Sequence, residues 1–445
     1  MAAVVEDAVR TEGRVAVVLP GGGARGAYEI GALSVLLPAL AARGERVSIL
    51  CGTSVGAINA AMLASLAAEP VEVQVREALA RWASLCKDDV MRPLVGVRAP
   101  FTLLRLLGEV LELSGLRLGS LFDAAPLRES LPRWIDFPAI HRAVRAGAVD
   151  AVCVVATALS SGASVAFTET RMTLPSVEPG ERLRYVSVAL DSDHVRASAA
   201  IPLLFPPVAV GRPAAARDHY IDGGTRLNSP LKPALALGAE RVIVIGLEPF
   251  RPRTTRAAPP EAPRLADVTA NVLDGLLVDQ VGDDLRRLVA INSFFVEGVS
   301  SAGSGPSRSA RAYRTARGRR PYRRIAYALV SPAQAGEIGR IAERVFRERY
   351  GGLRGLRRPD YPLISRALGG QTRSRGELLS FLLFDPVFSA ALIDAGQRDA
   401  RRWLRRHPAF WCADGAHDLG SAGGFDAARV REEQALDEFR ALRRR

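Results

Sequence analysis

The sequence predicts an α/β fold: a mainly parallel central sheet between layers of helices, followed by a mostly helical C-terminal region. Three observations lead there. Short apolar runs recur in the first half of the chain, and the first two are each followed by a stretch of helix-forming residues. The runs are continuously apolar rather than alternating, as in strands covered on both faces. Beyond residue 264 the pattern turns mostly helical.

The elements follow in order. Arg14–Pro20, R-V-A-V-V-L-P, is a buried strand that leads into Gly21-Gly22-Gly23-Ala24-Arg25-Gly26 and then a helical pattern from Ala27 to about Ala42. Val47–Cys51 is the second strand, and a helix after Ser54 extends to about Ala68. Strand, loop, helix, strand, sharp turn, helix is the grammar of a parallel sheet with covering helices. Further buried strands are expected at Val149–Ala156, Ser164–Thr168, Tyr220–Asp222 and Arg241–Leu247, and one more at Ile325–Val330. The chain divides into a domain over 14–250, a Pro- and Arg-rich linker at Arg251–Arg264, and the C-terminal region over 265–445. Within that region Ser300–Arg324 has no acidic residue and many arginines, the composition of a basic flexible loop. Glu377–Leu404 is its strongest helical stretch.

At 445 residues and 48% apolar the chain is globular, with a sizeable core. The net charge of +13 favours anionic partners: a membrane surface, nucleic acid or an acidic substrate. An Arg- and Ala-rich composition also follows from genome base composition, so the charge weighs little. Cys51, Cys86, Cys153 and Cys412 form no CxxC pair, and buried free thiols in a reducing compartment are expected. The N-terminus has no basic start followed by a long apolar run, and no stretch approaches the ~20 apolar residues of a spanning helix. A cytoplasmic location follows as the expectation, with peripheral contact at an anionic membrane surface. No calcium loop and no His/Cys zinc set is present in the sequence, so neither metal nor cofactor is expected.

Three short stretches carry chemistry. In Gly52-Thr53-Ser54-Val55-Gly56 a strand becomes a helix within two residues, which strains the turning residue. Side chains two positions to either side would then clash, and Gly52 and Gly56 remove the clash. Ser54 would stand at the tip of a sharp elbow, with helix N–H groups beside it suited to an oxyanion. Taken alone, the stretch also fits a glycine-rich turn with an incidental serine. The second stretch, Gly21–Gly26, matches G-x-G-x-x-G, the form of a dinucleotide loop. With 40 glycines in 445 residues, that spacing arises by chance roughly 0.3 times in such a chain. A dinucleotide site also wants an acid at the end of the second strand, where this chain has Cys51-Gly52-Thr53-Ser54. Exposed N–H groups beside a nucleophile would instead receive an oxyanion, with Arg25 either holding the loop or adding positive charge. The third stretch is Tyr220-Ile221-Asp222-Gly223-Gly224, in which Asp222 ends a strand and is open to close approach; it also fits a common Asp-Gly turn. His219, three residues before Asp222, should point to the opposite face.

In this order and separation, G-G-G-A-R-G, G-T-S-V-G and D-G-G resemble the patatin-like phospholipase family. Ala197–Val208 (A-S-A-A-I-P-L-L-F-P-P-V) and Asn228-Ser229-Pro230-Leu231 look like the family's blocks before and after the aspartate. The resemblance covers about residues 14–250, with weaker agreement over Ser380–Trp403. It implies a patatin-type three-layer fold and a serine–aspartate dyad that cleaves carboxylic esters of phospholipids or lysophospholipids. Ser54 matches the nucleophile and Asp222 the base. Gly21, Gly22, Gly23, Arg25 and Gly26 match the oxyanion loop. Gly52, Gly56, Gly223 and Gly224 are the motif glycines. The partner implied is a lipid, without metal or cofactor. Arg92–Phe122, with Leu103, Leu104, Leu107, Val110 and Leu111 at helical spacing, reads either as a surface for lipid entry or as a core-packing helix. Two alternatives are a nucleotide-binding module using the glycine loop and a basic membrane-associated adaptor using Ser300–Arg324. The latter segment has only Tyr313 and Tyr322 as aromatics, too few to stack nucleic-acid bases, so nucleic acid is not an expected partner.

Overall fold

A computed structural model describes residues 13–93, 122–176, 182–249, 325–351 and 375–412. The linker at Arg251–Arg264, the basic segment Ser300–Arg324 and the leucine-rich stretch after Pro93 lie outside these residues.

Strands of the central sheet are numbered in chain order: β1 (Val15–Leu19), β2 (Val47–Thr53), β3 (Ala151–Ala158), β4 (Ser164–Thr170), β5 (Leu183–Ser187), β6 (Val208–Val210), β7 (Asp218–Asp222), β8 (Arg241–Ile245) and β9 (Ala326–Val330). The main path runs β9-β8-β1-β2-β3-β4-β5, and the β6–β7 hairpin pairs with β3 through β7. The five strands from β9 to β3 are mutually parallel. β1 and β3 are buried along their whole length, which is why their sequences show no alternation. β4 turns back antiparallel on β3, since the few residues between them cannot carry a crossover.

The principal helices are α1 (Gly26–Ala41), α2 (Val55–Ser65), α3 (Val71–Ser84), α4 (Ala125–Trp134), α5 (Phe137–Ala146), α6 (Ser192–Ser198), α7 (Leu231–Ala236), α8 (Glu337–Tyr350), α9 (Arg375–Leu382) and α10 (Pro386–Arg406). The stretch expected as one helical region at Glu377–Leu404 is thus two helices. The chain breaks at Asp385, whose carboxylate caps α10 by accepting from the Val387 amide (2.8 Å), and Pro386 opens that helix. Among the described residues no single helix is long and apolar enough to cross a membrane.

The strands that sequence patterning overlooks are β5 and β6. β5 buries only Leu183 and Val186, three positions apart, so it shows neither a continuous apolar run nor an alternation, and β6 is three residues long, too short for any period to show. The C-terminal region enters the same core as the N-terminal elements. β9 extends the sheet beside β8, and α10 crosses α1 so closely that a Cβ on Gly31 would lie 2.3 Å from the Ile393 carbonyl oxygen. None of the four cysteines is in a disulfide; Cys51 and Cys153 are buried, as expected of thiols in apolar runs, whereas Cys86 and Cys412 are partly exposed.

Candidate active site

β2 ends at Thr53 and α2 begins at Val55, so Ser54 alone makes the turn. Its φ of 55° and ψ of −123° lie in a region that non-glycine residues rarely adopt, at a cost on the order of 1–3 kcal/mol. The surrounding close packing holds it there. A Cβ on Gly52 would sit 2.1 Å from the Gly56 carbonyl oxygen, and one on Gly56 would sit 2.2 Å from that of Leu19. Both positions therefore require glycine: Gly52 for the clash across the elbow that the sequence suggested, Gly56 because the start of α2 packs against the end of β1.

Ser54 is buried, and its Oγ donates to Asp222 Oδ2 at 2.5 Å. The two residues are 168 apart in sequence, and the sheet explains their meeting. β2 pairs along one edge of β3 as far as Thr53 opposite Val155. β7 takes up the same edge from the other direction and ends with Asp222 opposite Ala156. The two strands run head to head, and the residues at their tips face one another. Asp222 Oδ1 accepts from the Gly224 amide (2.7 Å), and Gly223 lies flat against the Val155 carbonyl. Burial pushes the Asp222 carboxyl up to about 7, against the opposing effect of its hydrogen bonds from Ser54 and Gly224.

Gly21 lies against Ser54: a Cβ there would be 2.9 Å from that of the serine. The Gly21 amide is used, donating to Asn228 Oδ1 (3.0 Å) and the Asn228 carbonyl (3.4 Å). The Gly22 and Gly23 amides have no acceptor among the described residues, and Gly23 lines the cavity beside Ser54. Gly26 opens α1 against the Val55 side chain. Arg25 points its guanidinium at Glu377, Ser380 and Phe381 of the C-terminal region. Of the two readings left open by the sequence, its contacts fit holding the loop.

Two residues of the site were quoted in the sequence only as parts of flanking blocks. Ser198 Oγ accepts from the Ser54 amide (2.9 Å) and donates to the Val155 carbonyl, while Asn228 anchors Gly21. A serine at the last position of α6 and an asparagine two residues before a proline carry no signal of their own; only their place beside the motifs marks them.

Among the described residues no histidine hydrogen-bonds to Ser54 or Asp222. His219 is exposed on β7, as its odd offset predicted. His141 pairs with Glu169, His194 with Asp191, and His407 stacks on Trp403. An apolar cavity of about 50 Å³ opens beside Ser54, walled by Val55, Ile58 and Met62 of α2, Trp82 of α3, Leu127 of α4, and Ile201, Phe205 and Phe384. Nothing at the glycine loop supports the nucleotide alternative, because its neighbours are Ser54 and Asn228 and β2 ends in no carboxylate.

A family model described as patatin-like phospholipase matches residues 17–235. No curated protein matches the chain. Among solved structures, the crystal structure of VipD from Legionella pneumophila is similar over 97% of this chain and 75% of that one, at 12% identity and a TM-score of 0.32.

Proposed function

We propose that this chain, whose residues 17–235 belong to the patatin-like phospholipase family, hydrolyses carboxylic esters of phospholipids or lysophospholipids through an acyl-serine intermediate. The observation that carries the reading is the buried hydrogen bond from Ser54 to Asp222, at the mouth of an apolar cavity. The family match makes a lipid acyl ester the natural substrate class.

The chemistry runs on this chain's own groups. Ser54 Oγ attacks the ester carbonyl carbon while Asp222 takes its proton. The carbonyl oxygen becomes an oxyanion, for which the Gly22 and Gly23 amides, without an acceptor among the described residues, and the N-terminus of α2 are donors. Asp222 then gives its proton to the departing alcohol oxygen, leaving the acyl group on Ser54. Water attacks that ester with Asp222 again as base, releases the fatty acid and restores the hydroxyl. The acyl chain occupies the apolar cavity along α2, where its methylenes replace water against Ile58, Met62 and Trp82.

The direct test is a fluorophosphonate probe followed by a lipid panel. Labelling is expected at Ser54, with hydrolysis of acyl esters in the panel. A probe that labels no residue, or a residue other than Ser54, overturns the assignment.

A base held near 7 gives a pH signature. Asp222 accepts a proton only when ionised, so kcat/KM on a soluble short-chain ester is expected to rise with pH and level off above an apparent pKa near 7. A profile already flat from pH 5 upward would show that Asp222 titrates as an ordinary carboxylate, and would remove it as the tuned base.

A further inference from the structure

The mechanism leaves one buried cation unused, Arg25, which pairs closely with Glu377 (2.6 Å) and at longer range with Glu248 (4.0 Å). Arg25 is 4% exposed, and its side chain packs against the C-terminal region. Its Nε donates to Ser380 Oγ (2.6 Å), and its Nη2 donates to the Glu377 carboxylate (2.6 Å) and the Glu377 carbonyl (2.9 Å). The guanidinium also lies 3.9 Å from the centre of the Phe381 ring. One guanidinium thus grips one turn of α9, from more than 350 positions earlier in the chain.

We propose that Glu377 and Ser380 are positioning residues for the reaction: by fixing Arg25 they fix the Gly22 and Gly23 amides where the oxyanion forms, which makes α9 part of the catalytic unit. This rests on the reading of residues 21–26 as the oxyanion loop. Three observations support it. The contact continues through the backbone, since a Cβ on Gly23 would lie 2.2 Å from the Phe381 carbonyl oxygen. The same segment contributes Phe384 to the wall of the cavity beside Ser54. The grip is itself braced from behind. Glu377 is wedged against α8, where a Cβ on Gly339 would be 2.6 Å from its Oε1. Next along the chain, Tyr28 Oη donates to Asp399 Oδ2 (2.8 Å), and Gly31 and Gly396 let α1 and α10 meet backbone to backbone.

The physical argument concerns why the pair is ionic. A buried ion pair is often no more stabilising than a well-packed apolar pair of the same volume. What it adds is direction: a planar guanidinium with three fixed acceptors defines the position of its own backbone more narrowly than apolar packing does. Gly23 is two residues from Arg25, so a lost acceptor is transmitted almost directly to the loop. A misplacement of about 1 Å in a catalytic group costs up to ~10²-fold in rate.

The test compares the wild type with Glu377→Gln, Ser380→Ala and the double variant Arg25→Met/Glu377→Met, on a soluble short-chain p-nitrophenyl ester. Glu377→Gln is expected to lower kcat by about 10- to 100-fold while KM stays within about twofold. Ser380→Ala moves kcat the same way by less. Affinity for a trifluoromethyl ketone, whose adduct with Ser54 carries the oxyanion, falls by the same factor as kcat. The double variant replaces the ion pair with apolar side chains and is expected to recover the melting temperature without recovering kcat. Recovery of both would make the pair purely structural and overturn the proposal, as would a folded Glu377→Gln variant with wild-type kcat. A wild-type chain that takes up no fluorophosphonate and cleaves no ester overturns the hydrolase reading, and this proposal with it. An active wild type with indifferent variants overturns this proposal alone.

Discussion

Asp222→Asn is expected to lose on the order of 10³-fold or more in kcat, about as much as losing the serine itself, because the two side chains act as one unit. The substitution keeps the shape, and the amide can still accept from Gly224 and meet Ser54. It removes the proton acceptor alone. His219→Gln, on the exposed face of β7, is expected to retain most activity. A dead His219→Gln variant with an unchanged melting temperature would refute the dyad. The Asn variant should also be the more stable protein, in a pH-dependent way. The folded carboxyl titrates near 7 and the unfolded one near 3.8, so the native state holds a proton that the unfolded state gives up between those values. The contribution of this carboxyl to wild-type stability therefore falls as pH rises from about 4 to about 7, and the Asn variant lacks that decline. Its advantage in melting temperature is greatest above pH 7 and shrinks as the pH falls toward 4. A constant difference across the range would place the carboxyl's titration elsewhere.

Ser54→Ala should abolish both ester turnover and fluorophosphonate labelling, since no other hydroxyl donates to the Asp222 carboxylate among the described residues. It has a second consequence, for stability. The Ser54 hydrogen bond is one of the two influences that lower the Asp222 carboxyl's titration against its burial. Without it the carboxyl titrates higher still, so the pH-dependent loss of stability extends further into the alkaline range. Ser54→Gly should be equally inactive but more stable, by an amount on the order of 1 kcal/mol, because glycine relieves the strain at φ 55°. An Ala variant that turns over ester at the wild-type rate would remove the elbow from the mechanism.

Much of this site was legible in the sequence because its parts are local. Gly52 answers a clash with Gly56, four residues on, and such a constraint is written into the chain wherever it occurs; Gly56 itself faces the Leu19 carbonyl, a contact only the fold creates. The continuous apolar runs at β1, β2, β3 and β8 announce strands buried on both faces, and the predicted strands fall within about two residues of the observed ends. β5 and β6 were missed because an edge strand and a three-residue strand bury too little to impose a pattern. The break at Asp385 inside the C-terminal helical stretch was overlooked for a different reason. Its Asp-Pro pair is a start signal, but the apolar residues on both sides keep helical spacing through it.

The sequence by itself therefore determined the elbow, the glycine loop, the strand order along the chain and the acid that ends a strand before two glycines. Each depends on backbone sterics or on burial over a handful of residues. Only the tertiary structure decided which groups meet. Asp222 reaches Ser54 because β7 enters the edge of β3 that β2 vacates, one register step on, a pairing between segments 168 residues apart. Arg25 is held by the C-terminal region because Glu377 and Ser380, more than 350 residues on, surround it with acceptors. No local pattern encodes either contact. A strand's neighbour and a buried cation's partner are chosen by the free energy of the whole packed arrangement, in which each such group must find a partner within the core or forfeit its hydration.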